Sequence, residues 1–325
     1  MRAWLLILIL FWLNFPTSGP EPLESFKPGE VLMVDRVPLD RSDPTRTRLG
    51  ALTYLGGIRL RGTQPPFGGF SAMKIDGDRF MLVSDAGNVL RFRMGKDWIP
   101  RDVSFGDLSG GPGTGWLKID RDSESLTWNP ATGQYWVGFE QYNAIWRFAA
   151  DGRFEAHAEP EPMANWAVNG GPESMVRLRS GVFLVISEMS RPRARRDARL
   201  ALRFLGDPAE AGTPFERWSY VPPEGYDPTD MAELPDGRLL ILNRRVTLRD
   251  LFTAKLVIVD GRKVRKDAVV RGQEIATFAA PVQHDNFEAL AVTREGEDTI
   301  LWIASDDNQL WFEESLLLKF RLETP

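Results

Sequence analysis

The stretch "DNFEALAVTREGEDTILWIASDDN", residues 285–308, holds two β-prone runs, 287–292 and 300–304, divided by the turn "EGED" and bounded by acids at both ends. Its anchor, Asn286-Phe287-Glu288-Ala289-Leu290, returns along the chain. Asp122-Ser123-Glu124-Ser125-Leu126, Gly171-Pro172-Glu173-Ser174-Met175 and Pro228-Thr229-Asp230-Met231-Ala232 resemble it, as does Gly69-Phe70-Ser71-Ala72-Met73 with a serine in place of the acid. The central positions 71, 124, 173, 230 and 288 lie 53, 49, 57 and 58 residues apart. A regular period of this length is the mark of a repeat architecture.

Each anchor leads through a turn ("DGD", "ATG", "RSG", "PDG", "EGED") into an apolar run: 80–83, 135–139, 182–186, 239–242 and 300–304. A third run follows with its own signature: "VLRF" (89–92), "IWRF" (145–148), "ALRF" (201–204), "LVIV" (256–259) and "LLKF" (317–320). A fourth can be drawn before the next anchor, at 153–158, 215–221 and 273–279. Four short antiparallel strands per unit predict the blade of a β-propeller, where radial stacking protects the sheet edges. The expected fold is all-β, with five four-stranded blades and a ring closed by strand 52–60 against 316–322. A sixth, degenerate blade built from 30–62 is the alternative.

The composition agrees. In 325 residues, 29 glycines, 23 prolines and 11 tryptophans suit short strands and tight turns, and a 43% hydrophobic content suffices for a core. The formal charge of -5 leaves no basic footprint, so nucleic acid is not an expected partner. The first residues, "MRAWLLILILFWLNFPTSGPEP", place a cation, an apolar stretch and then small and helix-breaking residues in the order of a secretory signal. The reading is a signal at 1–19, a linker at 20–29 and one propeller domain at 30–325. The product would be periplasmic or secreted, or membrane-tethered if the signal stays uncleaved. No other apolar run approaches membrane length. With no cysteine, an exported chain depends on its core and on any bound metal rather than on disulfides.

In a propeller the first strands line the central channel, so equivalent residues converge. Glu124, Glu173, Asp230 and Glu288 are therefore expected to form a ring, with Ser71 as its fifth member. Asp85, Glu140, Glu188, Asn243 and Asp306 form a second set at the ends of the second strands, with Arg244 following Asn243. So many carboxylates in one funnel call for a shared cation or for protonation. Calcium, which takes six to eight oxygen ligands, fits such donors. Zinc does not, since the chain has two histidines, His157 and His284, and no thiol. The expected metal ligands are Glu124, Glu173, Asp230, Glu288, Asp85 and Asp306. Ser71, Glu140, Asn169, Glu188, His284 and Asn308 are candidates for contact with substrate. The bland reading is that repeated acids only tie turns and blades together. The variety of polar groups at matched sites favours function over it.

Seven motifs in order, "FGGFSAM", "SDAG", "RDSESLTW", "NGGPESM", "YDPTDMAELPDG", "DNFEALAV" and "SDDN", resemble the bacterial phytase-like domain family, described as having esterase-like activity of phytase. The likeness runs over 67–320 and implies a β-propeller that hydrolyses phosphate esters. Together these readings predict a calcium-assisted phosphoester hydrolase acting on a small-molecule ester or phosphoester. Glu124, Glu173, Asp230 and Glu288 would hold metal or act as base, with Glu173 and Glu288 the catalytic pair, and Arg244 would stabilise developing charge. A non-catalytic periplasmic binding propeller and a lactonase-like metal hydrolase are the rival readings.

Overall fold

In the computed structural model, which describes residues 22–323, each repeat unit becomes one antiparallel sheet. The expected signal at 1–19 lies outside the described residues. Three strands, β1 (Met33–Arg36), β2 (Arg48–Leu49) and β3 (Leu52–Arg61), precede the first blade. That blade is β4 (Phe70–Asp76), β5 (Arg79–Ser84), β6 (Asn88–Met94) and β7 (Pro100–Asp107). The second is β8 (Ser123–Trp128), β9 (Tyr135–Phe139), β10 (Ala144–Phe148) and β11 (Phe154–Ala158). The third is β12 (Ser174–Arg177), β13 (Phe183–Ile186), β14 (Arg199–Phe204) and β15 (Phe215–Val221). The fourth uses β16 (Asp227–Glu233), β17 (Leu239–Thr247) and β18 (Leu251–Val259), then passes through β19 (Val269–Arg271) to β20 (Gln273–Phe278). The last is β21 (Phe287–Glu295), β22 (Asp298–Ser305) and β23 (Ser315–Leu322).

The fifth blade is completed from the other end of the chain. β3 runs antiparallel to β23, with Leu60 opposite Ser315 and Leu52 opposite Leu322. β1 pairs outside β3, so residues 30–62 build no sixth blade. Two sheets exceed four strands: β1 and β2 extend the fifth, and β19 adds in parallel to β15 of the third. Residues 22–26 lie against the first two blades, with Pro22 bridged to Leu117 and the Asn88 side-chain amide donating to the Glu24 carbonyl at 2.8 Å.

The core is divided into five clusters, one at each seam between neighbouring blades. β22 shows why: Leu301 and Ile303 pack toward the fourth blade, while Ile300, Trp302 and Ala304 pack toward the first. Both faces of every blade are covered by its neighbours, so the period-two alternation of a strand carries apolar side chains on both phases. The repeated cation-Phe signature has the same cause. Phe92, Phe148, Phe204 and Phe320 are buried in the seams. The cations before them lie on the opposite face of the sheet; Arg147 pairs with Asp207 of the third blade, and Lys319 pairs with Glu295 at 2.6 Å.

Candidate metal centre

A β-bulge at the start of the innermost strands sets the site. In the first blade Phe70 faces Ser84 and Ala72 faces Val83, which leaves Ser71 as the extra residue. Glu124 and Glu288 are the extra residues of the second and fifth blades. In the third blade Glu173 stands just ahead of β12, where Ser174 faces Ile186 and the Glu188 amide donates to Gly171. In the fourth, Pro228 faces Asn243 and Asp230 faces Leu242, so the extra residue is Thr229. Bulges re-aim side chains at functional rims, and here they aim one residue per blade into the channel mouth. The first tier is thus Ser71, Glu124, Glu173, Thr229 and Glu288.

The same register fixes a second tier at the ends of the second strands. Asp85, Glu140 and Asp306 donate their amides to Gly69, Asp122 and Asn286, the residues two before each bulge. By that count Glu188 is the third member, and Arg244, which faces Asp227, is the fourth.

Two expected positions are therefore displaced by one residue. Asp230 does not join the other carboxylates; buried, it accepts hydrogen bonds from its own neighbour Met231 N at 2.7 Å and from Leu290 N at 2.6 Å, tying the fourth blade to the fifth. Burial pushes its carboxyl well above the usual range, with those two amides opposing. Thr229 stands in the tier instead, its hydroxyl donating to the Phe287 carbonyl at 3.1 Å, as Ser71 donates to the Ser123 carbonyl. Both bonds reach the residue just before the next blade's bulged acid. Asn243 is buried beneath the tier, accepting from the Tyr220 hydroxyl at 3.0 Å, and Arg244 takes the place expected of it.

Where the tiers meet, oxygens of Glu140, Glu173 and Glu188 lie within 4.8 Å of one another, and so do those of Asp122, Glu124 and Glu140. The sequence "NGGPE" shapes this spot. Gly170 has φ +111° and donates its amide to the Glu140 carboxylate. A Cβ on Gly170 would sit 2.4 Å from Met189 Cγ, and one on Gly171 would sit 2.6 Å from Asn143 Oδ1, so only glycine lets this loop press onto Glu140.

Crowding and burial disfavour charge. Glu140 is pushed up to about 7, by burial first and by Asp122 second. Glu288 is also pushed up to about 7 by burial, against the pull of Arg244. Glu124, Glu173 and Asp306 are driven well above the carboxylate range, chiefly by burial and then by neighbouring carboxylates. Arg244 is the counter-charge. It reaches Glu188 at 2.6 Å, Glu288 at 2.9 Å and Asn286 Oδ1 at 2.8 Å. Asp85 pairs with Lys118 at 2.7 Å while its Oδ1 is buried without a partner. The arrangement can hold a metal ion, since one would replace protons as the neutralising charge and its donors would all be oxygens.

The other candidates stand around the mouth. Ser71 is buried with its hydroxyl on backbone. Asn169 is exposed and shares Gln141 with Asp122, at 2.8 and 2.9 Å. Asn308, exposed, donates to Glu313 at 2.8 Å and lies outside both trios. His284 bonds the Phe252 carbonyl at 2.9 Å and faces a lateral cleft. Sequence reasoning missed Asp122, Lys118 and Gln141. Asp122 sits two before the bulge, where the other blades carry Gly69, Gly171, Asp227 and Asn286, and Lys118 lies in the short 3-10 turn Lys118–Arg121, which has no counterpart in the repeat.

The family comparison bears on this geometry. The phytase-like family, described as "Esterase-like activity of phytase", matches residues 65–309. The chain belongs to the phytase-like family. All ten tier positions of this phytase-like propeller, from Ser71 to Asp306, fall inside the matched range. Among curated proteins none matches the chain. Solved structures similar to it include a Bacteroides thetaiotaomicron protein of unknown function (14% identity, 90% of this chain and 76% of that one, TM-score 0.46). Others are a Bacteroides caccae protein of unknown function (10%, 70% and 68%, 0.35) and the hydrazine synthase of Kuenenia stuttgartiensis (12%, 81% and 65%, 0.38). These likenesses are too distant to bear on the chemistry of the phytase-like chain.

Proposed function

We propose that the protein is an exported, calcium-assisted phosphoester hydrolase acting at the acidic mouth. The observation that carries this reading is the pair of carboxylate trios sharing Glu140, all oxygen, beside the fixed cation Arg244. Oxygen-only donors favour a hard cation. Neither histidine belongs to a trio: His157 stacks on Trp146 at 4.5 Å, and His284 is held by a backbone carbonyl.

Bound calcium would polarise a phosphoryl oxygen and acidify a water. Glu140, Glu173 and Glu188 would hold it, with Asp122 and Glu124 forming the second trio. Arg244 offers guanidinium hydrogens to phosphoryl oxygens, matching planar donors to a developing anion. Glu288, gripped by Arg244, is placed to take the proton of an attacking water. The N-terminal segment supports export to the periplasm or the medium.

The test uses metal-stripped protein on 4-nitrophenyl phosphate, bis(4-nitrophenyl) phosphate and 4-nitrophenyl acetate, each with and without calcium. Phosphate-ester cleavage that appears with calcium and disappears with chelator is expected. Full cleavage in excess chelator would overturn the metal's role, and turnover confined to the acetate would move the protein to carboxylic esters.

A further inference from the structure

Beside the mouth a lateral cleft of about 960 Å³ opens on the fifth blade, between the residues before β21, the end of β3 and the 307–314 loop. Its size is that of a small-molecule site. Two of its walls belong to the acidic mouth's own scaffold. Asp285 precedes Asn286, which receives Arg244, and Glu313 holds Asn308 and lies within electrostatic reach of Arg244. The cleft wall and the Arg244 site thus share one scaffold.

The walls have a specific chemistry. Trp311 is 93% exposed and Phe312 49%, their rings edge to face at 5.6 Å. An indole so open in a soluble fold has its face available for a ligand rather than for packing. Gln283, which also lines the cleft, is 8% exposed, yet its Nε2 has no hydrogen-bond partner. Buried amide donors are rarely left unpaired, and this one belongs to a side chain on the cleft wall. His284 contributes the opposite capacity. With Nδ1 donating to the Phe252 carbonyl, its Nε2 is an acceptor on the cleft wall. Gln64, Thr63 and Asp285 add further polar groups.

We propose that this cleft is a saccharide subsite, taking the sugar ring of a sugar phosphate whose phosphoryl group lies at Arg244. The assignment rests on the phosphoester reading above for the phosphate end only. Donors and acceptors side by side suit hydroxyls, which do both, whereas an apolar alcohol would leave Gln283 and His284 unmet. The negative face of the indole attracts the weakly positive C–H bonds on one face of a pyranose.

The test compares wild type with Trp311→Ala and Gln283→Leu on glucose 6-phosphate, phenyl phosphate and ethyl phosphate with calcium. Binding of glucose 6-phosphate and of methyl glucoside is followed in parallel by tryptophan fluorescence and calorimetry. Trp311 is exposed, so its loss leaves the fold intact. The expected result is a KM for glucose 6-phosphate raised about tenfold in either variant, with kcat and ethyl phosphate turnover unchanged. Should no ester be cleaved, the phosphoester reading fails, while glucoside binding that is lost in Trp311→Ala still supports the subsite. Absence of sugar binding in the wild type, equal effects on ethyl phosphate, or an effect on phenyl phosphate alone would overturn the proposal.

Discussion

Arg244 occupies the one second-tier position where an arginine replaces an acid, and so the mouth sets a fixed cation, paired with Glu188 and Glu288, beside carboxylates that could hold a metal ion. Two unit charges 4.8 Å apart repel by roughly 3 kcal/mol at an effective dielectric of about 20, and with burial this holds Glu140 and Glu173 toward their protonated forms. Glu173 is the most informative residue to change, because burial and neighbouring carboxylates already keep it protonated. Glu173→Gln should leave the urea midpoint of the metal-free protein unchanged or raise it slightly, while calcium affinity measured by calorimetry falls at least about tenfold and phosphatase activity follows. Unaltered calcium affinity would remove Glu173 from the metal centre.

At the scale of the element, the strands were largely legible because both faces of each blade are apolar and the turns between them carry glycine. The tier positions were less so. Aligning the anchors on their acids put Asp230 in the ring, whereas aligning them on the large apolar residue two places on would have matched Met73, Leu126, Met175, Met231 and Leu290 and put Thr229 there. Those five residues all pair with apolar partners on the second strand, so packing keeps the register and the polar position varies. Asp230→Asn tests the distinction. An amide can accept only through its single oxygen, so one of the two bonds from Met231 and Leu290 is lost, at a cost of about 1–2 kcal/mol in urea unfolding. Calcium affinity should be unaffected, and a marked loss would return Asp230 to the site.

At the scale of the whole molecule, the ring closes between β3 and β23 while its centre concentrates groups that resist ionisation, and this couples stability to pH. Glu140 and Glu288 titrate near 7 in the folded chain against an ordinary value of 4.5. Between those values the folded state binds more protons than the unfolded one, so stability falls as pH rises through that window and levels off above it. Each such carboxyl contributes on the order of 3 kcal/mol, and the two are not additive because they share neighbours. Carboxyls lowered by their partners, such as Asp78 with Arg93 and Asp197 with Arg195, act below pH 4 and leave this window flat. Calcium bound at the proposed site would reverse the balance there, because ligands that bind a cation no longer need protons. Asp285 and Glu313, pushed up to about 7 outside the trios, keep part of the slope even then. Thermal unfolding in chelator should therefore show a melting temperature several degrees lower at pH 7.5 than at pH 5.5. With millimolar calcium the share of that difference due to Glu140 should vanish, through stabilisation at the higher pH. A melting temperature in chelator that stays level or rises across this interval would mean that the mouth ionises freely and has no need of a cation.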